Sequence, residues 1–210
     1  TPLYSSAASD VYKRQNTDIV ASSGSITMRG TNSMYLDRFA NSSVNIGATS
    51  SGSASGNILL EFGRQFWGGS GGTSAFRTTG SLTFRPFDTS FKFATHFPST
   101  SQTLSSQISS LTVGSSTNTQ TINIRTNVSI AGPITYRTGD LIFHSSVAST
   151  SNSDIAFIST GSISQDQSIS SAGSLVMSAT SLRVGGTITA SRAIDILSAC
   201  LLYTSDAADE

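Results

Sequence analysis

Charge is scarce in this chain. Charged side chains make up 11% of its 210 residues, with only two Lys (Lys13, Lys92) and two Glu (Glu61, Glu210). The long side chains that favour exposed helices are nearly missing, which excludes helical bundles and coiled coils. Twelve basic and twelve acidic groups cancel, so no net field draws nucleic acid or an anionic membrane. No apolar run approaches the roughly 20 residues of a membrane-spanning helix. A single cysteine excludes an internal disulfide framework and a multi-cysteine metal site. Neither Asn-Gly nor Asp-Gly, the strongest two-residue hairpin signals, occurs.

Serine and threonine fill 69 of the 210 positions, and apolar residues alternate among them. Apolar–x–apolar triplets such as Leu82/Phe84, Ile122/Ile124, Ile134/Tyr136 and Leu175/Met177 put one face inward and leave the middle residue outward. Their spacing goes further. Leading apolar residues fall at Ile163, Ile169, Leu175, Leu182, Ile188 and Ile194. Three steps carry Ile163 to Leu182, Ile169 to Ile188 and Leu175 to Ile194, each pair 19 apart in number. Ile122 to Leu141 and Leu111 to Ile130 repeat that interval, and Ile155 to Leu175 is 20. Three short strands per period of about 20 residues are expected of a solenoid, in which stacked coils bury a shared core. Steps of six leave no room for the hairpins of an antiparallel sandwich. A left-handed β-helix of hexads fits poorly, because Gln167 and Arg192 fall where small residues are required. The fold class expected is therefore all-β, a right-handed parallel β-helix incomplete at both ends. Its coils would number about nine, each about 19–21 long.

The two termini differ from the rest. Residues 5–15 (SSAASDVYKRQ) and 200–210 (CLLYTSDAADE) back-translate to one DNA sequence read in opposite orientations, and that sequence resembles a transposase sequencing adapter. The organisation expected is adapter-derived sequence at 1–15 and 200–210, and β-helix at 16–199 with an irregular aromatic and glycine-rich region at 62–110.

Chemistry-bearing residues are thinly spread. Asp18 and Asp37 are the only acids in 16–199 that lie 19 apart, the spacing that would stack them on neighbouring coils. They lack a basic partner for glycosidic acid–base work. GGSGGT at 68–73 carries Thr73 where a calcium-binding glycine repeat needs Asp. His96 and His144 have no ligand neighbours at metal spacing in sequence. Catalytic residues, metal and cofactor are all expected to be none. Eight of the eleven Phe lie in 62–97 together with Trp67. Phe66 and Trp67, beside the glycine loop and flanked by Arg64 and Arg77, form the candidate ligand platform. The opposing expectation is that these phenylalanines, Phe91 and Phe93 among them, fill the interior.

GSLTFRPFD at 80–88, ISSLTVGSSTNTQTINI at 108–124, GPITYRTGDLIF at 132–143 and SAGSLVMSATSLRVGGTITA at 171–190 resemble repeats of filamentous-haemagglutinin-type giant exoproteins. The resemblance covers about residues 56–199. It implies a non-enzymatic shaft segment of a secreted or cell-surface adhesin, located outside the cell or on its outer surface. It also implies a host-cell or matrix protein or a glycan as partner, and further coils of the same chain on either side. Nucleic acid and membrane insertion are not expected. The alternative is a carbohydrate-binding or carbohydrate-active β-helix protein that uses the aromatic region 62–97.

Overall fold

Alternation of aliphatic with hydroxyl side chains favours half-buried strands, and the chain is all-β, without helix among the described residues. The computed structural model describes residues 18–21, 23–31, 34–36, 43–49, 52–63, 66–68 and 72–203, with backbone alone at 34–36, 66–68 and 203.

Every paired strand among the described residues runs parallel to its neighbours, and the chain visits three stacks in rotation. The first stack holds Ile26–Gly30, Ile58–Phe62, Ser81–Pro86, Ser110–Gly114, Ile134–Thr138 and Ile155–Ser159, then the leading halves of Leu175–Val184 and Ile194–Tyr203. The second runs through Thr95–His96, Ile122–Ile124, Leu141–Phe143 and Ser162–Gln165 into the trailing halves of those two long strands. The third consists of two separate four-stranded sheets, Ile19–Val20, Ser43–Gly47, Thr73–Phe76 and Gln102–Leu104 in one, and Val128–Ile130, Val147–Ser149, Ile169–Ser171 and Ile188–Ala190 in the other. Met34–Leu36 pairs with Phe66–Gly68 in a separate two-stranded sheet.

Register converts this order into a core. Ile26, Ile58, Leu82, Leu111, Ile134, Ile155, Leu175 and Ile194 are successive partners, an aliphatic column eight strands long. Beside it, Phe84, Val113, Tyr136, Phe157 and Met177 form a second column of buried side chains. Burial pushes the Tyr136 phenol far above its ordinary pKa, and its hydroxyl donates to the Phe97 carbonyl at 3.2 Å. Ile163 pairs with Leu182 and Ile169 with Ile188, as the interval of 19 predicts.

The interval holds only in the later strands. Along the first column it is 32 from Ile26 to Ile58, 23 from Leu111 to Ile134, and 19 from Leu175 to Ile194. Among the described residues eight strands occupy that stack, at unequal intervals. Leu111 meets Ile134 instead of Ile130, which lies in the third stack opposite Ser149. Both candidates alternate equally well, so apolar spacing alone does not separate them. Within the region 62–110, Thr73–Phe76, Ser81–Pro86, Thr95–His96 and Gln102–Leu104 join the ladders. Strand Ile194–Tyr203 also crosses the boundary expected after residue 199, pairing Cys200 with Ser181 and Leu201 with Leu182. Ladder bonds accept any β-competent sequence, and Leu201 and Leu202 remain 51% and 55% exposed.

A subset of the hydroxyl residues points inward at the corners. Buried Thr138 donates to the Gln120 carbonyl at 2.8 Å, and Ser171 to the Ser153 carbonyl at 3.1 Å. Such bonds tie a corner to the one before it while satisfying carbonyls that the ladders leave open. Gly114 (φ +84°) ends its strand where a Cβ would run into the Arg137 carbonyl, so only glycine turns the chain there.

Leu175 is fully buried between Ile155 and Ile194, so Leu175→Ala should cost about 2–5 kcal/mol in denaturant melts. Exposed Ser170 lies between Ala148 and Thr189, and Ser170→Asp should stay within about 0.5 kcal/mol. Equal losses in the two variants would contradict the inward–outward assignment.

Candidate functional site

The members of the aromatic platform belong to different sheets. Arg64 lies outside the described residues, and Phe66 and Trp67 are described as backbone, paired in register with Met34 and Tyr35. Arg77 follows a strand of a different sheet. Its Nε donates to Asn45 Oδ1 at 2.9 Å, and Asn45 Nδ2 donates to Asp18 Oδ1 at 2.8 Å. Arg77 is therefore part of a polar ladder over three successive levels.

Five of the phenylalanines in region 62–97 are core. Phe62, Phe76, Phe84, Phe91 and Phe97 are buried, and the Phe84 ring lies 4.8 Å from Phe97 and 5.0 Å from Phe91. Phe93 departs from the expected interior stack: it is 53% exposed, and Phe87 is 43% exposed. The backbone explains this. Phe87 donates its amide to the Phe62 carbonyl and Lys92 donates to that of Gly63, so the chain leaves the ladder and rejoins it one residue later. The excursion is held from the next level, where Asn118 Oδ1 accepts from Ser90 Oγ at 2.9 Å and from the Phe91 amide at 3.2 Å. Phe91 anchors the loop in the core, and the two flanking rings face water.

The carboxylates that bond among the described residues do not converge. Ile19 pairs with Ile46, so the residue that meets Asp18 is Asn45, 27 positions on; the expected partner, Asp37, lies outside the described residues. Asp140 Oδ1 accepts from the Ser162 amide at 2.7 Å and its hydroxyl at 2.8 Å. Asp154 Oδ1 accepts from the Ser174 amide at 2.6 Å, and Asp166 pairs with Arg183 at 2.6 Å. Glu61 sits between Arg29 and Arg85, its register partners on adjacent strands, and bonds to both. Each of these acids cross-links neighbouring levels. Among the described residues no group of three His, Cys, Asp or Glu is gathered to hold a metal.

The histidines are the exception to this scatter. Read in sequence they stand apart; in the fold their strands flank that of Asn123 on either side. Asn123 is the register partner of His96, and His144, one residue beyond the strand that follows, brings Nε2 to 3.2 Å from Asn123 Oδ1. Arg125 is exposed on the same strand connection. Partial burial, then the charges of Arg125 and His144, hold the His96 imidazole below its ordinary value of 6.5. No spacing rule could have found this pair, because its members lie on strands separated by two unequal intervals.

The sign of the pH effect follows. The unfolded chain, free of those influences, takes up a proton on His96 near pH 6.5, where the folded chain resists it. The stability linked to His96 is complete above that value and is lost as pH falls through the lower folded value. Thermal melts at about pH 7.5 and 5.5 should show a larger drop for the natural sequence than for His96→Gln. Equal drops would contradict the assignment.

The chain matches no protein-family model, no curated protein and no solved structure.

Proposed function

We propose that the chain is a segment of a right-handed parallel β-helix serving as a non-enzymatic structural shaft of a large secreted or cell-surface adhesin. The observation that carries this reading is the aliphatic column from Ile26 to Ile194, which keeps one register through eight parallel strands. Parallel strands joined by crossovers are right-handed in nearly all sheets, which supports the hand. At about 4.8 Å per step the stack is a rod of about 34 Å, and further coils of the same chain would lengthen it at either end. The shaft extends a binding tip outside the cell or on its outer surface, and its hydroxyl-rich faces offer weak, repeated contacts to a host-cell or matrix protein or a glycan. The acids support the absence of catalysis, since those that bond do so to hold neighbouring levels together instead of meeting in a groove.

A second reading has one specific observation behind it. The loop 87–93 holds Phe87 and Phe93 in water on a braced backbone, an arrangement suited to carbohydrate binding within region 62–97. A glycan panel with the purified chain separates the two readings. The shaft reading predicts weak binding that no single aromatic substitution abolishes, and no release of reducing ends from polysaccharide. Saturable binding lost in Phe87→Ala would favour the second reading, and turnover abolished by Asp18→Asn would overturn the first.

A further inference from the structure

Five of the eight large apolar side chains exposed among the described residues lie on one strand, Ile194–Tyr203. That strand pairs with Leu175–Val184 along one edge and, among the described residues, with nothing along the other. Ile194 and Ile196 are the register partners of buried Leu175 and Met177, and Leu201 and Tyr203 those of buried Leu182 and Val184. Ile194 and Leu201 thus continue interior columns, yet they are 46% and 51% exposed. The ten residues of the strand hold one charge, Asp195, and neither Lys nor Pro, the usual guards of an open edge. The seven that follow in the sequence, TSDAADE, offer two alanines and three acids, which cannot stand in for an apolar level. We propose that this edge is a self-association surface, on which a second copy of the chain seats the same strand antiparallel about a two-fold axis.

The pattern of the strand selects that occupant. The positions that continue the interior are 194 and 196 before the corner and 201 and 203 after it, symmetric about the point between Ser198 and Ala199. Turned end for end, the strand therefore meets itself in one register. Ile194 falls opposite Tyr203 of the second copy, Ile196 opposite Leu201, and Leu197 opposite Cys200. Directly opposed residues of an antiparallel pair share a face, so the ladder continues past the edge and the two interiors join. A slip of one residue would set inward positions against outward ones. The far end of the stack is no match. Its leading strands are Ile26–Gly30 and, in a separate sheet, Met34–Leu36, too short to line a ten-residue strand. An isologous contact of this kind closes as a dimer and does not grow into a filament. One strand per copy is a small interface, so association is weak and falls in the micromolar range.

A following coil would take the same edge, so the test uses the chain of 210 residues. Sedimentation equilibrium should show a reversible monomer–dimer equilibrium and no larger species. Ile196→Lys and Leu201→Lys, both on the open edge, should each raise the dissociation constant at least about tenfold. Deletion of 204–210 should leave the dimer in place. Leu197→Cys reads the register, because the introduced thiol lies opposite Cys200 of the second copy and oxidation should join the two copies through that pair. Within one strand the same two positions are about 10 Å apart, too far for a disulfide, and the Cys200 thiols of the unchanged chain are separated by at least as much. The unchanged dimer should therefore keep its thiols free. A monomer at every concentration, a mass that grows beyond the dimer, or a dimer that forms only after deletion of 204–210 would each overturn the proposal. So would lysine variants that dimerise as tightly as the unchanged chain, or Leu197→Cys chains that do not cross-link to Cys200. Far-UV circular dichroism checks that the variants remain folded.

Discussion

A short strand with one apolar residue in two cannot bury that residue by itself. It needs a second strand carrying an apolar residue at the matching position, and that strand needs a third. In-register parallel pairing meets this demand level by level, and every other feature of the fold is built on it. A slip of one residue would turn every inward side chain of a strand to water, so register is held firmly wherever the interior is aliphatic. Leu175 illustrates the point: it is fully buried because Ile155 and Ile194 occupy the same position on the strands it pairs with. The connections between strands carry no such demand. They range from the long excursions of the first levels to the tight corners of the last, and the columns continue through both.

The outer surface is where the levels differ. Arg29, Glu61 and Arg85 form a charged ladder on the first stack, while Asp18, Asn45 and Arg77 form a polar one on the third. Both use the geometry that builds the core, placing partner side chains one strand apart, with complementary polarity instead of shared apolarity. The braced loop 87–93 and the histidine pair lie where the connections are longest or change length. A uniform core thus supports local chemical variation outside without disturbing the register inside.

Period-2 alternation made the strands and their inward faces legible, because each face is a local property. The columns through Leu175, Ile163 and Ile169 were legible for a second reason: near the end of the chain the corners are short and equal, so a constant interval betrays the pairing. Leu111 shows where that reasoning fails. Ile130 and Ile134 both alternate, and the choice between them rests on how the corner at Gly132 and Pro133 packs, which the apolar pattern does not record. Phe93 was misplaced for a related cause, since its strand pattern is interrupted by an excursion that Asn118, with Ser115, Thr117 and Thr119 beside it, holds in place from a full level away. The placement of His96 and His144 on the strands either side of Asn123 depends on two unequal intervals, 27 from His96 to Asn123 and 19 from Asn123 to Ile142, and so becomes visible only in three dimensions. Inward hydroxyls such as Thr138 and Ser171 were equally hidden, because serine and threonine are also the commonest outward residues of this chain.

The central claim is that like side chains stack one level apart on parallel strands, and methyl-labelled nuclear magnetic resonance tests it most directly. With Ile and Leu methyl groups labelled, close contacts should link Ile155 to Leu175 and Leu175 to Ile194, and separately Ile163 to Leu182. Leu175 and Leu182 should not behave as strand partners of each other, since they pair with different strands from the leading and trailing halves of Leu175–Val184. A direct contact between Leu175 and Leu182, with the Ile155 and Ile194 contacts missing, would mean that the segment folds back as an antiparallel hairpin and would contradict the account.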